Sequence, residues 1–142
     1  ELIGRVVAFD PVTDLAVIAV EEPLPDPLPL GEATAGVAIA ILGYDRSGAS
    51  SVRSGYIERE ILATGRDIYG KLAEGRRALE ISANVETGFS GGPVVDASGD
   101  VVGVMFSRTR GGAPVAYAVQ TIEVLAVLDS ANSRSAGSGP CR

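Results

Sequence analysis

Histidine and tryptophan are absent from these 142 residues, and cysteine and methionine each occur once. Without an imidazole, the chain alone cannot complete a histidine metal site or any reaction that needs an imidazole base. The single thiol, Cys141, excludes an internal disulfide and any paired-cysteine redox or zinc motif. It is an inert tail thiol or the mate of a cysteine outside these residues. Positive charge is scarce: 12 Lys and Arg face 18 Asp and Glu, the net charge is -6, and no basic cluster exceeds Arg76-Arg77. That leaves no electrostatic footprint for a phosphate backbone and excludes nucleic acid as a partner. No apolar run reaches the roughly eighteen residues of a membrane-spanning helix, and no signal-peptide pattern occurs. The chain opens on Glu1 rather than Met, so the expectation is an excised piece of a longer protein whose remainder leaves room for a targeting or membrane segment.

What is present suits one soluble domain with an aliphatic core: 46% of residues are hydrophobic, while three Phe and four Tyr are the only aromatics. Eighteen Gly and eight Pro indicate many turns. Short β-branched runs at 6–9 and 15–20 flank Asp10-Pro11-Val12-Thr13, a turn composition, and predict a β-hairpin. From Pro23 to Pro29 every second residue is proline, which predicts an extended connector between two subregions. Further strands are expected at 37–43, 52–62, 78–83, 93–96, 101–107 and 115–119, with turns at 97–100 and 110–112. Residues 67–77 read as a polar surface excursion. Only 121–131 reads as a helix, capped by Thr121, with Ile122, Leu125 and Leu128 expected to lie on the barrel. The expected divisions are therefore 1–20, a connector over 21–35, a barrel with its helix over 36–131, and a Ser/Gly-rich tail over 132–142.

The informative hexapeptide is Gly88-Phe89-Ser90-Gly91-Gly92-Pro93. A serine between glycines at a sharp turn exposes its hydroxyl, lets a substrate backbone approach, and lets backbone N–H groups converge on one point. That is the layout of an acyl-transfer nucleophile, although glycine spacing alone fits an ordinary turn into the strand at Val94 equally well. Lys71, the only lysine, is the one other amine base for Ser90; in its polar surroundings it reads as a solvated surface charge.

The wider context decides the matter. Gly-x-Ser-Gly-Gly-Pro followed by Val94-Val95, a polar turn and Val101-Val102-Gly103-Val104 resembles the nucleophile segment of trypsin-like serine proteases. Thr13-Asp14-Leu15-Ala16-Val17 resembles the aspartate segment of the bacterial members, including the HtrA type, and Val115 to Val119 before a helix is similar to their last strand. Within the superfamily the chain is similar to the membrane-anchored periplasmic proteases of actinobacteria, on Thr13 to Val20, the Pro-rich connector, Asp67-Ile68-Tyr69-Gly70 and the Ser90 segment.

The resemblance implies an all-β fold: a trypsin-like antiparallel β-barrel, the second of two, preceded by the last hairpin of the first and followed by a C-terminal helix. It implies a serine endopeptidase acting outside the cytoplasm on protein or peptide substrates, with no cofactor and no metal, and with its parent tethered to a membrane. Ser90 would be the nucleophile and Asp14 the acid that orients a histidine absent here. The N–H groups of Gly88 and Ser90 would form the oxyanion hole. Pocket walls would come from Asn84 to Thr87 and from Phe106, Ser107 and Arg108; neutral Asn84 at the base gives no support to an Arg or Lys preference, while Glu86 could supply a charge. Two departures stand out. Phe89 replaces the usual Asp or Asn before the serine, and the histidine segment is missing. The alternative is a non-catalytic peptide-binding module that captures extended peptides along a strand edge. The chain alone is expected to be inactive, to self-associate or hold residues 1–20 out of place, and Cys141 is expected to pair with the missing first barrel.

Overall fold

The computed structural model describes residues 2–131 and 137. The expectations for Cys141 and for nearly all of the tail fall outside these residues.

The Asp10 turn builds a two-stranded antiparallel sheet from β1 (Gly4–Asp10) and β2 (Leu15–Val20). The turn is held by its own first residue: Asp10 Oδ1 accepts from the Val12 N–H at 3.0 Å and Oδ2 from the Thr13 hydroxyl at 2.7 Å. Thr13 is buried and Asp14 exposed.

Six strands form the closed antiparallel barrel: β3 (Ala38–Tyr44), β4 (Ser50–Arg66), β5 (Leu72–Ser82), β6 (Pro93–Asp96), β7 (Val101–Arg108) and β8 (Val115–Gln120). Their order around it is β3-β4-β5-β8-β7-β6, and β6 closes on β3 through Ile39↔Asp96 and Ile41↔Val94. Period-two alternation turns Ile39 and Ile41 inward to meet Ile57, Leu79, Ile81 and Val102, so the core is aliphatic, as the composition requires.

The connector is exposed over residues 21–30, but its end is stitched to the barrel. Proline has no N–H to donate, yet its carbonyl still accepts: Val101 N–H donates to Pro29 O at 2.8 Å and Gly31 N–H to Val101 O at 2.9 Å.

Three expectations are corrected. Residues 67–77 are not an excursion throughout: β5 begins at Leu72, and β4 and β5 pair as far as Arg66↔Leu72, forming an arm that projects past the barrel. Polar composition misled there because strands with few buried positions show no apolar alternation. Thr121 is not the cap. It is the first residue of α1 (Thr121–Ser130), Gln120 precedes it with no side-chain cap bond, and the buried Thr121 hydroxyl donates to Val101 O at 3.0 Å. Nor do Ile122, Leu125 and Leu128 face the barrel. They are 51%, 45% and 41% exposed, while Thr121 and Val127 are the buried positions. The helix is set down by its first residue, and that anchor rotates the apolar stripe outward.

Candidate functional site

The loop from β5 to β6 carries the serine. Phe89 is fully buried in the barrel interior and pins the loop from within, while Ser90 beside it is exposed. The ring occupies the space beside Gly43, where a Cβ would come within 2.6 Å of Phe89 Cδ1. Gly88 adopts φ +112°, and a side chain there would collide with the Tyr44 carbonyl, so glycine is required twice over. The N–H groups of Gly91 and Gly92 are committed to Met105 O at 2.8 Å and Phe89 O at 3.0 Å. Those of Gly88 and Ser90 have no partner among the described residues.

Asp14 arrives from the β1–β2 turn at φ +60°, a left-handed conformation that aspartate tolerates better than most residues. The hairpin is tied to the β4–β5 arm. Ile68 N–H in the tip of the β4–β5 arm donates to Pro11 O at 3.1 Å, and Arg76 Nη1 to Val12 O at 3.0 Å. As a result Asp14 and Ser90 line one cleft of about 270 Å³, with Thr13, Leu15, Gly91 and Phe106 among its walls.

The other predicted residues distribute unevenly. Phe106 lines that cleft; Ser107 and Arg108 follow it on β7, exposed and half-buried respectively. Beyond Val104 this strand has no strand partner on its β6 side, since the β6 ladder ends at Pro93↔Val104. Asn84 lines a separate cavity with Ala38, Ser54 and Tyr56. Glu86 is engaged by Arg53 Nη2 at 2.8 Å, and the Arg53 guanidinium lies 5.4 Å from the Phe89 ring centre. Lys71 is exposed on the β4–β5 arm and lines none of the cleft. Among the described residues no carboxylates or thiols converge as a metal site would need.

Arg76 also belongs to this region, although the sequence marks it only as half of a basic pair. It is half-buried, its guanidinium lies 4.0 Å over the Phe106 ring, and burial pushes its pKa down against the opposing pull of Asp14 and Asp10. The dipeptide Arg76-Arg77 gives no local sign that one member turns inward.

Residues 1–104 match the trypsin-like peptidase domain. The chain belongs to the trypsin-like peptidase family. The serine protease Rv3671c (MarP) of Mycobacterium tuberculosis is 34% identical over 97% of this chain. A probable periplasmic serine endoprotease, DegP-like, of Brucella suis is 29% identical over 91%. Among solved structures, the active form of the Rv3671c protease superposes with a TM-score of 0.90 at 33% identity, covering 99% of this chain. The shared architecture is that of a trypsin-like protease domain, mostly β with one helix. The chain spans 36% and 26% of the two relatives' lengths and 63% of the solved Rv3671c chain.

Proposed function

We propose that these residues are the nucleophile-bearing part of an extracytoplasmic serine endopeptidase whose catalytic histidine lies in the portion of the protease domain that they do not span. The observation that carries this reading is the shared cleft: Asp14 and Ser90 come from distant segments yet line one cavity, and the N–H groups of Gly88 and Ser90 have no partner among the described residues. In the reaction, Ser90 Oγ attacks the scissile carbonyl and gives its proton to the imidazole. Asp14 orients that imidazole and stabilises its charged form. The N–H groups of Gly88 and Ser90 receive the developing oxyanion, and the proton then passes to the leaving amine. An extended peptide backbone pairs along the open side of Phe106 to Arg108. The periplasmic relative supports an address outside the cytoplasm, and the resemblance to membrane-anchored actinobacterial proteases supports a membrane-tethered parent.

The test is active-site labelling of the complete protease with a fluorophosphonate. Ser90→Ala abolishes labelling, and Asp14→Asn lowers turnover by about 10⁴-fold, the usual consequence of losing the aspartate. The 142-residue chain alone, lacking any imidazole, labels orders of magnitude more slowly. Equal labelling of wild type and Asp14→Asn would remove Asp14 from the site.

One observation favours a second reading. Phe89 stands where a polar residue usually helps to hold the oxyanion loop, which suits a domain that binds extended peptides without cleaving them. Peptide binding that survives Ser90→Ala, together with no phosphonate labelling of the complete protein, would establish it.

A further inference from the structure

Asp14 holds an unusual backbone conformation on a two-stranded sheet separate from the barrel, so its register with the Ser90 loop depends on contacts between the two sheets. We propose that Arg76 is the positioning residue that does so, by clamping the Asp14 turn to the cleft wall formed by Phe106. The proposal rests on the reading of Asp14 and Ser90 as reacting-site residues.

Two contacts converge on this side chain. Arg76 stands on β5 opposite Ala63 of β4, at the base of the projecting arm. Its Nη1 donates to the carbonyl of Val12, two residues before Asp14, at 3.0 Å. Its guanidinium carbon lies over the Phe106 ring, 4.0 Å from the ring centre. Phe106 is itself displaced from the regular ladder. Met105 pairs with Ala118 and Ser107 with Tyr117, so Phe106 is the extra residue of a β-bulge, and bulges re-aim side chains. The Tyr117 ring lies 6.4 Å from it, so Phe106 is flanked by Arg76 and Tyr117 and lines the cleft shared by Asp14 and Ser90.

The chemistry suits arginine specifically. A planar cation can stack on a ring and donate in its own plane to a carbonyl, which a lysine ammonium cannot do at once. Burial opposes the charge, and Asp14 and Asp10 favour it. The same cation therefore stabilises the acidic end of the turn while the N–H bond fixes its backbone. Ile68 on the same arm provides a second, weaker tie to Pro11, so the arm as a whole braces the hairpin and Arg76 carries the link to the cleft.

The test uses the complete protease. Arg76→Ala is expected to speed amide exchange at residues 12–14 by tenfold or more while the barrel amides of β3 and β5 stay protected. It is expected to lower kcat by about 10- to 100-fold, since a small misplacement of a catalytic group costs that much, with KM within a factor of two. Arg76→Lys, which keeps the charge and a donor group but not the planar fork, recovers part of kcat; Arg76→Met, which keeps only bulk, does not. Unchanged exchange at 12–14, or a loss of rate that merely follows the unfolded fraction, would overturn the proposal. So would a loosened turn with unchanged kcat, provided Asp14→Asn is itself inactive. If Asp14→Asn retains full activity, the reading of Asp14 has failed, and the exchange data alone decide whether the clamp exists.

Discussion

Phe89 directly precedes the candidate nucleophile, and its environment shows how the Ser90 loop is held. The ring is fully buried against Gly43, so packing secures the loop where a polar side chain would otherwise do so by hydrogen bonding. Phe89→Ala should cost about 3 to 5 kcal/mol in urea unfolding, in line with other buried aromatic truncations. Gly43→Ala should also destabilise, because its methyl would strike the ring. Combined with Phe89→Ala, that methyl enters the vacated space, so the double variant should be more stable than the two single costs predict by about 1 kcal/mol. Strict additivity would show that the ring does not pack as described. The Arg53–Glu86 pair nearby is part-exposed and should contribute less than about 1 kcal/mol.

At the scale of elements, α1 and the β3–β4 turn make separable predictions. Val127 is 5% exposed and Leu125 45%, so Val127→Ala should cost about 2 kcal/mol and Leu125→Ser less than about 1 kcal/mol. The reverse order would restore the helix face expected from its three-residue apolar step. The β3–β4 turn hangs on Asp45 Oδ1, which accepts from the Ser47 hydroxyl at 2.6 Å and from the Ser47 and Ala49 N–H groups at 2.8 and 3.1 Å. These bonds favour the ionised form and hold the Asp45 carboxyl below its ordinary value. Because the folded pKa is depressed, the turn's stabilisation is present above the ordinary carboxylate value and is lost as pH falls through the folded one. Amide exchange at Ser47 and Ala49 should accelerate on acidification, and Asp45→Asn should remove most of that response.

For the whole molecule, the exposed apolar side chains matter most. Leu2, Ile3 and Ile18 on or beside the hairpin, and Ile122, Leu125 and Leu128 on α1, are all more than 40% exposed, and α1 packs on both hairpin strands. A two-stranded sheet with open edges beside an apolar helix face is prone to association. The 142-residue chain should therefore sediment with a concentration-dependent mass, and charged substitutions at Ile18 and Leu125 should reduce that dependence. A strictly monomeric chain at high concentration would refute this.

Much of this architecture is determined locally. Period-two alternation, turn residues such as Asp10 and Gly99, and the alternating prolines act within a few residues. The positions of the strands along the chain, the connector and both signature segments around Asp14 and Ser90 could therefore be read from the amino acids in sequence. Other features arise only when the barrel closes. The length of the β4–β5 arm depends on cross-strand pairing with no apolar signature, and the buried face of α1 depends on where the Thr121 hydroxyl finds Val101. The meeting of Asp14, Phe106 and Arg76 depends on a one-residue bulge in β7 and a bond between residues 64 positions apart in the chain. Such contacts are selected by the shape and burial of the assembled molecule, and no short stretch of sequence contains the information that places them.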